Sequence, residues 1–298
     1  MARIGARLIE LPIASQMTVR APSILRGMGG TATLDGASLE RIKAADILFD
    51  ITAEGLLWSP ALGEVLASGT RTVMAIDPPE ALQRMFPSQE LKLRALANGE
   101  RLGRAKTLRV VSDAGTDLTC ELGQYAARAR YGFSDEAGHW DHWPSGMVAT
   151  FPNDGTPEGV IVANEGDVPL PFSRYLSAPV RFVFEKGILT SIEGGFDARL
   201  IRDFIDSWHD PRGYDFSHLG WGLQRRANWA AIALFEGERM MCQDIRTFEG
   251  NFLFSTGPNE VAGRFTPCHL DIACRDVTLL LDDEVIVENG VVKPESLQ

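Results

Sequence analysis

Two residues near the C-terminus, His269 and Asp271, have the side chains and the spacing to bind one metal ion. Side chains alternate across a β-strand, so a strand over this segment places both residues on the same face. An imidazole nitrogen and a carboxylate oxygen would then reach the same ion, although such a pair is more often simply hydrogen bonded. Of the five histidines in the chain, the best candidate for a third ligand is His218, because its small neighbours let the backbone approach closely. Two histidines and one carboxylate are typical of non-haem Fe(II) sites, which keep open positions for substrate and dioxygen.

A second group of reactive side chains lies between Gly138 and Pro144. It contains His139, Asp141 and His142 together with two tryptophans, and the flanking glycine and proline predict a loop. His142 is the candidate acid/base residue because an imidazole gains and loses a proton near neutral pH. The sequence leaves an alternative equally open, in which the tryptophans of a surface loop enter the core and the histidines face solvent.

The run from residue 250 to residue 259 is apolar at first and then small and polar. This pattern is typical of a strand that leads into a pocket. Ser255, within this run, and His139 are candidate substrate-binding residues.

Composition limits the class of protein and its partners. The 298 residues are 45% hydrophobic and 23% charged, which is typical of a soluble globular protein of one large or two ordinary domains. A formal net charge of −11, with no block of lysine and arginine, argues against nucleic acid as a partner. No apolar run approaches the roughly 20 residues of a membrane span. The four cysteines have no Cys-x-x-Cys spacing, so we expect a reduced, cytoplasmic protein.

The order of the predicted elements indicates an α/β fold in two parts. Strands and helices alternate over residues 1–112, which predicts an N-terminal α/β domain with a parallel sheet. Residues 113–298 predict a β-rich domain that holds the metal site, with one clear amphipathic helix at 197–208. The predicted strands are 7–11, 46–51, 71–76, 108–112, 116–122, 159–163, 180–185 and 188–193, with two or three more in 277–292. The other predicted helices are 39–45, 61–68 and 88–102.

With these residues assembled, the chain resembles the 2,5-dihydroxypyridine 5,6-dioxygenase family of bacterial nicotinate breakdown. That family is itself similar in its C-terminal part to M29-type metallo-aminopeptidases. The matching motifs keep their order and cover most of the chain. They are residues 141–146 (DHWPSG), 217–224 (SHLGWGLQ), 250–259 (GNFLFSTGPN) and 266–271 (TPCHLD), with shorter matches at 78–80 and 194–196.

The resemblance implies a single Fe(II) held by His218, His269 and Asp271, with His142 in the substrate pocket as the acid/base residue. It also implies oxygen-dependent opening of a hydroxylated pyridine ring to an N-formylmaleamate-type product. The expected partners are a small aromatic substrate and O2, and we expect a homo-oligomer. The chain is expected to lack the family's opening strand–helix unit.

Two positions depart from the family pattern at the expected substrate pocket. Trp58 stands where the family has a histidine, and Arg130 stands where it has an acidic side chain. Arginine in place of an acid inverts the local charge and creates a bidentate carboxylate binder. One hypothesis is therefore a substrate that carries a carboxylate. The alternative is that Arg130 points to solvent.

Two other functions remain open at the level of sequence. A metallo-aminopeptidase would need extra carboxylate ligands for a bridged metal pair, and no glutamate in a comparable motif supplies them. The departures at Trp58 and Arg130 keep a second alternative open, a binding protein that has the fold and has lost catalysis.

Overall fold

The computed structural model describes residues 36–51, 56, 60–235 and 241–293. The strand predicted at 7–11 and the candidate residue Trp58 lie outside the described residues. Among the described residues, the helices are α1 (Gly36–Lys43), α2 (Pro60–Ala67), α3 (Pro79–Arg84), α4 (Gln89–Arg104), α5 (Phe196–Asp206), α6 (Ala231–Leu234) and α7 (Gln243–Arg246). The strands are β1 (Ile47–Asp50), β2 (Arg71–Met74), β3 (Thr107–Val111), β4 (Asp117–Glu121), β5 (Arg128–Arg130), β6 (Trp140–His142), β7 (Met147–Thr150), β8 (Glu158–Ala163), β9 (Val168–Pro169), β10 (Val180–Glu185), β11 (Ile188–Gly194), β12 (Phe216–Gly222), β13 (Phe252–Thr256), β14 (Leu270–Cys274), β15 (Thr278–Leu281), β16 (Glu284–Glu288) and β17 (Val291–Val292).

A small parallel sheet confirms the predicted α/β part. Its strand order is β1-β2-β6, and both pairings are parallel. The third strand, β6, comes from the segment that the sequence predicted to be a loop. Strand β6 also lies on the other side of the predicted domain boundary from β1 and β2, because it follows residue 113. The division of the chain into two domains at that residue stays a prediction. Strand β3, which the sequence assigned to the parallel sheet, instead pairs antiparallel with β4 and β15.

Two antiparallel sheets form the β-rich part. One has eight strands in the order β11-β10-β8-β4-β3-β15-β16-β17, and the other has six in the order β5-β7-β12-β13-β14-β9. Their facing side chains make the main core, where Phe182 of β10 contacts Phe254 of β13 edge to face at 5.5 Å. Because side chains alternate along a strand, the opposite face of the six-stranded sheet carries a different set of residues. That face, which holds His218, Leu253 and Asp271, is called the site face.

Several local predictions agree with the structure. Helix α4 begins after Ser88, whose hydroxyl caps it by accepting a hydrogen bond from the Leu91 N–H at 3.2 Å. The amphipathic helix predicted at 197–208 is α5, and its apolar side packs into the main core. Lys186 and Gly187 form the predicted hairpin turn between β10 and β11, with φ values of 51° and 75°. No helix within the described ranges is long and apolar enough to cross a membrane.

Strand β12 lies so close to its neighbour that glycine is required at position 220. A Cβ atom on Gly220 would overlap the carbonyl oxygen of Val148 in β7. We expect Gly220→Ala to lower the free energy of unfolding by about 3 kcal/mol or more, because two paired strands must separate. Gly63→Ala is the matched control, since Gly63 lies in α2 with open space around its Cβ position. Alanine in that helix should be neutral or stabilising by about 0.5–1 kcal/mol. Denaturant unfolding of both variants tests this, and equal stabilities would contradict it.

Candidate metal and substrate site

Three side chains of the site face converge on one point. His218 lies on β12, Asp271 lies on β14, and His269 immediately precedes β14. His218 occupies a β-bulge, because the register between β12 and β13 shifts between Phe216 and Leu219. A bulge redirects a side chain without ending the strand. Ser255 of β13 supports the bulge: its hydroxyl accepts a hydrogen bond from the His218 N–H at 2.9 Å and donates one to the His218 carbonyl at 3.1 Å.

The three side chains are close enough to share one ion. Asp271 Oδ1 lies 3.0 Å from His269 Nε2 and 3.3 Å from His218 Nε2. The two imidazole rings have centroids 5.3 Å apart, and one ligand atom from each of the three residues fits within 4.8 Å of the others. Within the described part of the chain, this is the one group of three or more histidine, cysteine or acidic side chains with that spacing.

The donor chemistry of this group fits a cation. Asp271 Oδ1 is buried, and the Nε2 atoms of the two imidazoles face it. The other oxygen, Oδ2, accepts a hydrogen bond from Arg246 Nη1 at 2.7 Å. Burial raises the pKa of Asp271, but His269 and Arg246 outweigh it and hold the pKa well below its usual range. Burial lowers the pKa of His218, which favours the neutral imidazole that binds metals.

A cavity of about 100 Å³ opens onto these three side chains. An apolar cavity of about 150 Å³ in another protein binds benzene, so this volume is on the scale of a single small ring. The cavity walls combine apolar side chains with three arginines. The lining residues are Arg128, Arg130, Trp140, His142, Met147, Ala149, Thr150, Phe151, His218, Met241, Gln243, Arg246, Leu253, His269 and Asp271.

Strand alternation explains how arginines come to line the cavity. In the edge strand β5, Arg128 and Arg130 pair with Ala149 and Met147 of β7, and all four side chains border the cavity. Ala129, between the two arginines, instead packs against the main core. Arg130 therefore points inward and is half-buried, rather than facing solvent.

His142 lines the same cavity from strand β6. Its ring lies edge to face with Trp140, with centroids 5.3 Å apart. Burial lowers the pKa of His142 to about 3, and the positive charges of Arg130 and Arg246 add to the effect. Asp141, on the opposite side of the strand, accepts hydrogen bonds from the backbone N–H groups of residues 131, 132 and 142 and so anchors β6. His142 therefore presents a neutral imidazole to the cavity at neutral pH.

The structure does not bring all the predicted residues to the cavity. His139 precedes β6, and its ring stacks on Tyr131 at 5.3 Å instead of lining the cavity. Ser255 uses its hydroxyl in the bulge at His218, which gives it a positioning role. Sequence reasoning missed Arg246 and Gln243 on the short helix α7, because no motif there marked them as neighbours of Asp271.

Comparisons with known proteins agree with the sequence resemblance. A family model described as NicX, 2,5-dihydroxypyridine 5,6-dioxygenase, matches residues 1–294. The curated 2,5-dihydroxypyridine 5,6-dioxygenase of Pseudomonas putida KT2440 is 45% identical over 291 residues, which span 96% of this chain and 83% of the relative. A solved structure of 2,5-dihydroxypyridine dioxygenase from the same organism superposes with a TM-score of 0.88 at 44% identity, covering 94% of this chain and 82% of the other.

A more distant structure shares the fold alone. AmpT from Thermus thermophilus matches with a TM-score of 0.59 at 14% identity, covering 86% of this chain and 78% of the other. This shared fold fits the predicted similarity to M29-type metallo-aminopeptidases.

The role of Ser255 as a support for the bulge leads to a stability prediction. Ser255→Ala leaves the buried backbone groups of His218 without their side-chain partner, so we expect a loss of about 1–3 kcal/mol in the free energy of unfolding. Ser191→Ala is the control, because the Ser191 hydroxyl donates a hydrogen bond to the exposed Glu193 side chain, and its effect should stay within about 0.5 kcal/mol. Equal stabilities in chemical denaturation would rule out the support role.

The lowered pKa of the half-buried His142 leads to a prediction about pH. Its folded pKa of about 3 lies below the value of about 6.5 for an unfolded histidine. Between these values the unfolded chain binds more protons, so the free energy of unfolding should fall as the pH drops from about 6.5. For chelator-treated protein, His142→Gln should reduce this fall by about 1–2 kcal/mol between about pH 7 and pH 5. Parallel stability curves for the two proteins would contradict the half-buried, neutral imidazole.

Proposed function

Because the chain belongs to the 2,5-dihydroxypyridine 5,6-dioxygenase family, we propose that it is a ring-cleaving dioxygenase that uses Fe(II) and O2. Its substrate is a hydroxylated pyridine, namely 2,5-dihydroxypyridine or a carboxylated relative. Both oxygen atoms enter the product, the C5–C6 bond breaks, and an N-formylmaleamate-type product forms. The observation that carries this proposal is the convergence of His218, His269 and Asp271 beside a cavity on the scale of one ring.

The protein would hold one Fe(II) through His218, His269 and Asp271. When bound, the ion supplies open positions for substrate and O2 and the one-electron chemistry that a spin-paired ring lacks. Arg246 holds Asp271 by its Oδ2 atom, which leaves Oδ1 directed at the two imidazoles. A ligand held in this way keeps one orientation, as expected where a neighbouring residue fixes a metal-binding side chain.

The other cavity residues bind and prepare the ring. His142 lines the same cavity and is the group placed to accept the proton of a ring hydroxyl, which would raise the electron density of the ring. The side chains of Met147, Phe151 and Leu253 give the cavity an apolar wall that excludes water and packs against the flat ring.

The donor set favours this reaction over peptide hydrolysis. A bridged metal pair needs more carboxylates than one. In the described part of the chain, Asp271 is the one acidic side chain in the metal-binding group. This supports a single ion and argues against an aminopeptidase. The remaining alternative is a protein that binds the ring without catalysis. An assay of turnover distinguishes this binding protein from an enzyme.

The proposal predicts iron-dependent oxygen consumption. Protein stripped of metal and reloaded with Fe(II) under anaerobic conditions should consume one O2 per ring opened when given 2,5-dihydroxypyridine or its ring carboxylates. Replacing His218, His269 or Asp271 by alanine should lower kcat/KM by at least about 100-fold, since even the loss of a residue that orients a ligand costs 10–100-fold. His209→Ala is the matched control, because His209 is exposed at the end of α5 and should retain activity.

Oxygen electrode traces and product mass together decide the outcome. Full activity in iron-free protein would contradict the proposal, as would unchanged rates in the three ligand variants. An iron-loaded protein that consumes no oxygen with any of these rings would favour the binding-protein alternative.

A further inference from the structure

The guanidinium of Arg130 lacks a counter-charge within the described structure. It is half-buried in the cavity wall, and no carboxylate of a described residue lies within 4.0 Å of it. The other two cavity arginines each have one: Arg128 pairs with Glu260 at 2.7 Å, and Arg246 pairs with Asp271 at 2.7 Å. Among acidic side chains, Asp141 has the largest electrostatic effect on Arg130, but the Asp141 oxygens accept three backbone N–H groups. Because partly buried charges in proteins are normally paired, Arg130 is suited to an anion supplied by a ligand.

The position of Arg130 is fixed before any ligand binds. Its guanidinium carbon lies 3.9 Å from the centroid of the Trp140 ring, and its Nη1 donates a hydrogen bond to the Trp140 carbonyl at 3.1 Å. A guanidinium has five N–H donors in a rigid plane, so most of its donors are left for a ligand. A planar carboxylate is the anion that this fork of donors matches best.

We propose that Arg130 makes this enzyme selective for a dihydroxypyridine that carries a ring carboxylate. This inference rests on the proposed ring-cleaving function, and it narrows the substrate class. In 2,5-dihydroxypyridine cleaved between C5 and C6, the ring carbons that carry no hydroxyl and are not cleaved are C3 and C4. The N-formyl group of the proposed product comes from C6, so C6 carries hydrogen in the substrate. The carboxylate therefore lies at C3 or C4, and Arg130 binds it while His142 and the metal-binding group face the rest of the ring from the same cavity.

Binding without oxygen tests the inference separately from turnover. Calorimetry on anaerobic, iron-loaded protein would compare 2,5-dihydroxypyridine-3-carboxylate and the 4-carboxylate with the matching carboxamides. The carboxamides have nearly the same shape and no charge. We expect one of the carboxylates to bind at least about tenfold more tightly than its carboxamide, which is the scale of a hydrogen-bonded charge pair.

Variants assign the selectivity to Arg130. Arg130→Gln should remove most of the preference for the carboxylate over the carboxamide, and Arg130→Lys should restore part of it, because lysine keeps the charge without the planar fork. Arg181→Gln is the control for a general loss of positive charge, since Arg181 pairs with Glu193 on an exposed part of the eight-stranded sheet. That variant should keep the wild-type ratio of affinities. Iron content and circular dichroism establish that each variant is folded.

Each outcome separates this inference from the proposed function. Equal binding of carboxylates and carboxamides by the wild-type protein would overturn the inference, and oxygen consumption with 2,5-dihydroxypyridine would then leave the proposed function intact. A preference that survives in Arg130→Gln would also overturn it. Binding of a carboxylate that depends on Arg130, in a protein that consumes no oxygen, would support the anion site and count against the proposed dioxygenase activity.

Discussion

The buried carboxylate of Asp271 is the constraint on which the rest of the site depends. Taking an ionised carboxylate out of water costs several kcal/mol unless other charges and donors compensate. Arg246 compensates one oxygen, and the imidazoles of His218 and His269 face the other. A divalent ion at that point would give Asp271 Oδ1 a cation to bind and would accept the lone pairs of the two imidazoles, so metal binding and the stability of this region should be linked.

Three neighbouring strands of the six-stranded sheet hold this cluster in place. Neighbouring strands β12, β13 and β14 carry His218, its support Ser255 and Asp271, while their alternate side chains fill the core between the two antiparallel sheets. A site built on packed strands holds its ligands more precisely than a site on loops. The small parallel sheet adds His142 from a different direction, because β6 pairs with β2 and ends at the cavity. Two separate sheets thus supply the candidate metal ligands and His142.

Much of this site could be predicted from local sequence, and the exceptions have physical reasons. The spacing of His269 and Asp271 predicted a shared face, and the structure brings them together with His218. The segment around His142 was predicted to be a loop, because β6 has only three residues and its pairing with distant β2 is not visible in the sequence. Arg246 was missed for a related reason, since its partner Asp271 lies 25 residues away. The direction of Arg130 remained open until the pairing of β5 with β7 was known.

If His218, His269 and Asp271 hold one iron ion between them, crystals of the protein grown anaerobically with Fe(II) should show it in diffraction data collected on both sides of the iron absorption edge. We expect a single anomalous peak per chain, bonded to the Nε2 atoms of both histidines and to Asp271 Oδ1. A peak elsewhere, a second peak beside it, or no peak in fully reconstituted protein would show that these three residues do not form a site for one iron ion.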